Sequence, residues 1–204
     1  MMLNRLAAGA LLVFATMAAM LLLPPDLFIA ATFASTTCMV LASAALGGFR
    51  TLFRPSPKSL ASGLAVAALL YLVFLGGNFG ITVLHPFGIG ASNENSIYSL
   101  IAAPGNPWYL QALVLVFDAV GYESFFRGVL QRRLRPKAGG AAPVAAAAID
   151  AAVHLLSLNP LWVVSTFIVD TVWGISYKRT DDLAGVMLSH FVWDILIFVL
   201  FPIH

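Results

Sequence analysis

Cysteine is nearly missing from this chain: the lone Cys38 lies in an apolar run, which excludes an internal disulfide and suggests no thiol chemistry. Charge is almost as scarce. Only 10% of the 204 residues are Asp, Glu, Lys or Arg, while 60% are hydrophobic and mean hydropathy is +0.92. Water-soluble domains carry about 25% charged residues, so this composition argues against a water-soluble fold. Internal repeats, phosphate-binding glycine loops and dinucleotide fingerprints are also absent, and the corresponding repeat and nucleotide-binding classes go with them.

What the chain has is long apolar runs. Stretches near 7–23, 27–47, 60–84, 107–130, 141–157, 160–177 and 183–201 suit repeated crossings of a hydrocarbon core roughly 30 Å thick. The expected fold is all-α: a polytopic transmembrane helical bundle of about seven spans, forming a single integral-membrane domain over residues 1–204. Residues 1–106 would hold three N-terminal helices and an external loop, and residues 107–201 the motif-bearing core. Alternating the breaks across a membrane sorts the charge. One side receives Arg5, Arg50, Arg54, Lys58, Arg132, Arg133, Arg135, Lys137, Lys178 and Arg179; the other receives only Asp26 and Glu94. The positive-inside rule then places the N-terminus in the cytoplasm and His204 outside, as in a bacterial-type inner membrane. These basic residues occupy short loops and read as topology signals, with no nucleic-acid patch among them. Residues 1–23 have the outline of a signal peptide, but the apolar run is long and no small-x-small site precedes Pro24, so a retained helix is expected. Residues 85–107, with His85, Asn93, Glu94 and three prolines among them, read as the external loop. Trp108 and Tyr109 follow it at the headgroup level.

Within the apolar runs, ionisable residues pair at a spacing of four: Glu123 with Arg127, Asp150 with His154, and His190 with Asp194. That spacing stacks each pair on one helix face. Charge at membrane depth is costly and usually functional. Each pair also has a purely structural reading, as a buried ion pair or as a hydrogen bond tying helices together. Asp118 stacks on Tyr122 and has no opposite charge within a turn of its own helix, so it must be paired across helices, protonated or wet. Two histidines on separate helices, each one turn from an acid, suit either of two chemistries. They could bind zinc through His154 and His190 with a carboxylate, or activate water without a metal. Spacing alone leaves both open. Depth is a check on convergence: Glu123 lies nine residues from Arg132, roughly 13 Å, and His190 eleven residues from Arg179, roughly 16 Å. His154 fits less well, at roughly 20 Å from Ala141.

These clusters resemble the CPBP family of CAAX-prenyl-protease-type and bacteriocin-processing intramembrane proteases. The run Tyr122-Glu123-Ser124-Phe125-Phe126-Arg127-Gly128 is similar to the family's first motif in its second glutamate, arginine and glycine. His154 matches the second motif, with Asp150 where an aromatic is usual, and His190 with Asp194 matches the third. The resemblance covers about residues 107–200 and implies an intramembrane endopeptidase. Its substrate would be a membrane-associated or lipidated peptide or protein, cut near the cytoplasmic half of the bilayer. It further implies that His154 and a carboxylate activate water, that His190 with Asp194 stabilises the oxyanion, and that Arg127 positions Glu123. One departure matters: Tyr122 stands where the family's water-activating glutamate is expected. Glu123, Asp118 or Asp150 would have to supply that carboxylate, or hydrolysis has been lost. The rival readings are therefore a catalytically silent membrane binding or chaperone protein and a small transporter. Oligomeric state stays open; the small-residue stretch 141–152 suits close helix contact within or between subunits.

Overall fold

The computed structural model describes residues 2–47, 53–84, 98–100 and 107–203, without the side chains of 2–6 and 84. Most of the expected external loop, with His85 and Glu94, lies outside the described residues, as do Arg50, the side chain of Arg5 and His204. Among the described residues all regular structure is helical. Helix α1 spans Met2–Leu22, α2 Phe28–Ala45, α3 Pro57–Leu84 and α4 Trp108–Phe125. A π-helical segment, Phe126–Gln131, joins α4 to the short α5, Arg132–Ala138. Then come α6 (Ala142–His154), α7 (Pro160–Thr180) and α8 (Leu183–Ile195), the last ending in a π-helical Leu196–Leu200.

Proline and short acceptors place the helix starts. Pro57, Pro143 and Pro160 occupy first-turn positions, where a missing N–H costs nothing. Asn159 caps α7, its Oδ1 accepting from the amides of Leu161 and Trp162 at 3.1 and 3.2 Å. Asp182 caps α8 through Ala184 N at 3.0 Å and also accepts from Arg54 N at 2.9 Å, which ties the entry to α3 to the start of α8.

Among the described residues, four helical stretches are long and apolar enough to cross a membrane: Pro25–Ala45, Pro57–Val83, Trp108–Ser157 and Leu183–Leu200. The chain is thus an integral membrane protein with several apolar helices, four of which meet the length and composition of a span among the described residues. Outside these stretches, the apolar part of α1, Ala7–Leu22, is shorter, and α7 carries Asp170 together with Lys178 and Arg179. Leucines and aromatics point outward, as on a lipid-facing surface: Leu11 is 72% exposed, Phe79 71% and Trp108 69%.

Inside, α2 packs on α4, α3 on α8, α6 on α7, and α4 on α8. One apolar core joins α3, α7 and α8 through Leu70, Trp173, Tyr177, Val186 and Trp193. A second joins α1, α2 and α4 through Val13, Met17, Met39, Phe125 and Phe126. The α3–α8 crossing needs glycine on both sides: a Cβ on Gly63 would stand 2.2 Å from the Gly185 carbonyl oxygen, and one on Gly185 2.5 Å from that of Ser59. The small residues of α6 serve contact within the chain, against α7.

Candidate active site

The first half of the site is built on the end of α4. Glu123 and Arg127 are fully buried, one turn apart, and Arg127 Nε donates to Glu123 Oε2 at 3.1 Å. The π-helical segment starting at Phe126 widens the helix where Arg127 leaves it, a distortion common at functional sites. From there Arg127 Nη2 reaches α7 and donates to Asp170 Oδ1 at 2.5 Å. Arg127 therefore stands between two buried carboxylates. Breaking such a buried pair by deleting one partner costs about 3–5 kcal/mol. Gln131, one turn on, pins the same segment to α7 through the Gly174 carbonyl at 2.8 Å.

The other carboxylate oxygen of Glu123, Oε1, lies 2.8 Å from His190 Nδ1 on α8. His190 Nε2 in turn lies 3.4 Å from Asp194 Oδ2. An imidazole with a carboxylate at each nitrogen can donate from both. Its ring is held flat on Trp173, with centroids 3.9 Å apart and planes at 21°, and Trp173 is fixed by its indole N–H donating to Ser189 Oγ at 3.1 Å.

The second half joins α4 to α6. The Tyr122 hydroxyl donates to Asp150 Oδ2 in a short, buried hydrogen bond. One turn on, His154 Nδ1 lies 3.1 Å from the Asp150 backbone carbonyl and 3.4 Å from Asp150 Oδ1. Two acceptors beside Nδ1 favour the tautomer that carries its proton there, which leaves Nε2 with a lone pair. The depth mismatch expected for His154 disappears because α6 is short and ends at this residue, with Asp150 level with Tyr122.

A cavity of about 390 Å³ lies between these helices. His154, His190, Asp194, Asp118, Asp170 and Tyr122 face it; most of the remaining wall is apolar, including Phe28, Phe74 and Trp162. Glu123, Arg127 and Asp150 are fully buried and lie behind that wall. Asp118 is paired across helices, accepting from Thr36 Oγ1 on α2 at 2.8 Å. That contact depends on Gly121, where a Cβ would come within 2.4 Å of the Thr36 methyl.

The structure thus brings Asp118, Glu123, Arg127, Asp150, His154, His190 and Asp194 around one chamber. It also adds Asp170, which the pair spacing could not reveal because its partner, Arg127, lies on another helix. The available signal was a carboxylate in the apolar run 167–172. The zinc option does not fit these donors. Both His190 nitrogens face carboxylates, His154 offers one nitrogen, and among the described residues no group of three or more His, Cys, Asp or Glu is arranged to hold a metal ion.

No curated protein and no solved structure matches the chain. Residues 104–196, the stretch holding every ionisable side chain of the chamber, match the family described as type II CAAX prenyl endopeptidase Rce1-like.

Proposed function

We propose that the protein is an intramembrane endopeptidase that hydrolyses a peptide bond of a membrane-associated or lipidated substrate near the cytoplasmic half of the bilayer. One observation carries this reading: His154 has its Nδ1 beside Asp150 while its ring lines a cavity that His190 and Asp194 also face. In the proposed reaction His154 Nε2 takes a proton from water as the oxygen bonds to the scissile carbonyl carbon. The carbonyl electrons move onto oxygen, and His190 Nε2–H, beside Asp194, donates to that oxyanion. Preorganised donors of this kind contribute about 2.7–4 kcal/mol each. As the C–N bond breaks, the proton held by His154 passes to the departing amine. Glu123 would act through His190, with Arg127 holding it in place, since neither reaches the cavity wall. Asp118 would help to hold the attacking water.

A second reading has its own support. The phenol of Tyr122 occupies the position of the family's base and is already bonded to Asp150. A catalytically silent membrane binding or chaperone protein would keep such a chamber. The test is the purified full-length chain in lipid nanodiscs against a library of membrane peptides, beside His154→Ala and His190→Ala. Endopeptidase action requires cleavage that falls by at least about a hundredfold in both variants. Equal cleavage by all three removes these assignments, and peptide capture without cleavage that survives His154→Ala favours the silent protein.

A further inference from the structure

The cavity is walled unevenly along the bundle. The basic loops mark one end: Lys58 lies at the start of α3, and Lys178 and Arg179 at the end of α7. Two contacts bring the start of α8 and the short α5 to that same end. Arg54 N donates to Asp182 Oδ1 at 2.9 Å, and Arg135 Nη1 donates to Asp181 Oδ1 at 3.2 Å. Among the described residues, α3 lines the cavity only from Val73 onward, α7 only as far as Trp173 and α8 only from His190 onward. Helix α6 contributes its last residue alone, His154. The lining then runs on to Phe28, Ile81 and Leu161, at the ends of α2, α3 and α7 remote from the basic loops.

Between the chamber and the basic loops the interior is filled. Arg127, Gln131, Trp173, Tyr177, Leu183 and Val186 are all fully buried there. The packing leaves no slack: a Cβ on Gly174 would stand 2.9 Å from Gln131 Oε1 and 3.0 Å from Pro143 Cβ. Toward the other end the wall meets the outside. Val73 and Val164 line the cavity yet are 46% and 54% exposed, and a Cβ on Gly77, also in the lining, would meet nothing within 4 Å. We propose that the chamber is entered from the end opposite the basic loops, and that what enters is the apolar segment of a membrane peptide held in the leaflet on that side. By the charge asymmetry this is the side expected outside the cytoplasm. The walls on the way in are mostly apolar, so a polar chain would lose its hydration there with few donors or acceptors in return. Side of entry and depth of cleavage are separate: the segment runs inward until its scissile bond meets His154 and His190, nearer the basic end.

What enters rests on the proposed endopeptidase; the side of entry does not, and the experiment separates them. Ser35→Cys on α2 and Val169→Cys on α7 place a thiol on two walls of the chamber, each in the full-length Cys38→Ser chain. Right-side-out and inverted membrane vesicles would be treated with a charged, membrane-impermeant methanethiosulfonate. Asp26→Cys and Lys137→Cys in the same vesicles report the two sides. Both chamber thiols should react from the side that labels Asp26→Cys and resist reagent from the side that labels Lys137→Cys. Gly77→Leu should slow that reaction several-fold, whereas Gly76→Leu, which has equal space beside it but is not in the lining, should leave it unchanged. Both leucine variants should melt like the parent in detergent. Where wild type cleaves peptide, Gly77→Leu should raise KM about tenfold with kcat little changed, and Gly76→Leu should not. Labelling of the chamber thiols from the Lys137 side, from both sides alike or from neither overturns the side of entry. An unchanged KM in Gly77→Leu overturns this route for the substrate. Absence of turnover in wild type defeats the endopeptidase reading and leaves the labelling to decide the side.

Discussion

Tyr122 is the residue on which the chemistry of this site turns. Its hydroxyl is spent on Asp150, and Asp150 in turn flanks His154. The phenol therefore works as a donor that steadies a carboxylate, a task a base could not perform. Tyr122→Phe should leave Asp150 one donor short and cut turnover by at least about tenfold in steady-state assays. Tyr122→Glu should do no better, because it sets a second carboxylate against Asp150. A rise in turnover in Tyr122→Glu would instead mark the tyrosine as the change that silences the chamber. The three short-range pairs were legible in the sequence because their partners lie one helical turn apart. Asp170 as the partner of Arg127, Thr36 as that of Asp118 and Glu123 as that of His190 were not, since each contact crosses between helices.

At the scale of elements, the site depends on how closely the helices approach. The α3–α8 crossing places Gly63 on the Gly185 backbone, and α8 carries His190 and Asp194 into the chamber. Gly63→Leu should push α8 away and lower stability by about 1–3 kcal/mol, the usual cost of overpacking, read as a drop in melting temperature in detergent. Turnover should fall with it, whereas Gly76→Leu on the same helix, with open space beside it, should melt like wild type. Helix existence followed from apolar length. The π-helical widening at Phe126–Gln131 left no sequence signal, because it arises where Arg127 and Gln131 are drawn toward α7.

For the whole molecule, the charge asymmetry makes a prediction about orientation. Lys137 and Lys178 belong to the basic set expected in the cytoplasm, and Asp26 to the opposite side. In a Cys38→Ser background, Lys137→Cys and Lys178→Cys should resist a membrane-impermeant maleimide applied to intact cells and react after lysis. Asp26→Cys should react in both. Labelling of all three from outside would overturn the sorting. Hydropathy counts seven apolar runs, and among the described residues four helical stretches have the length and composition to cross. A window of apolar residues cannot see that α6 ends at His154 or that Asp170 is buried.

The sequence by itself determined the solvent this protein lives in, its helical make-up and the residue types available for chemistry. Apolar length, scarce charge and one-turn spacing are local properties that survive without a fold. Tertiary structure alone decided which of those side chains meet, because burial against another helix is not written in periodicity. It put Glu123, Arg127 and Asp150 behind the wall and gave the cavity His154, His190, Asp194, Asp118 and Asp170.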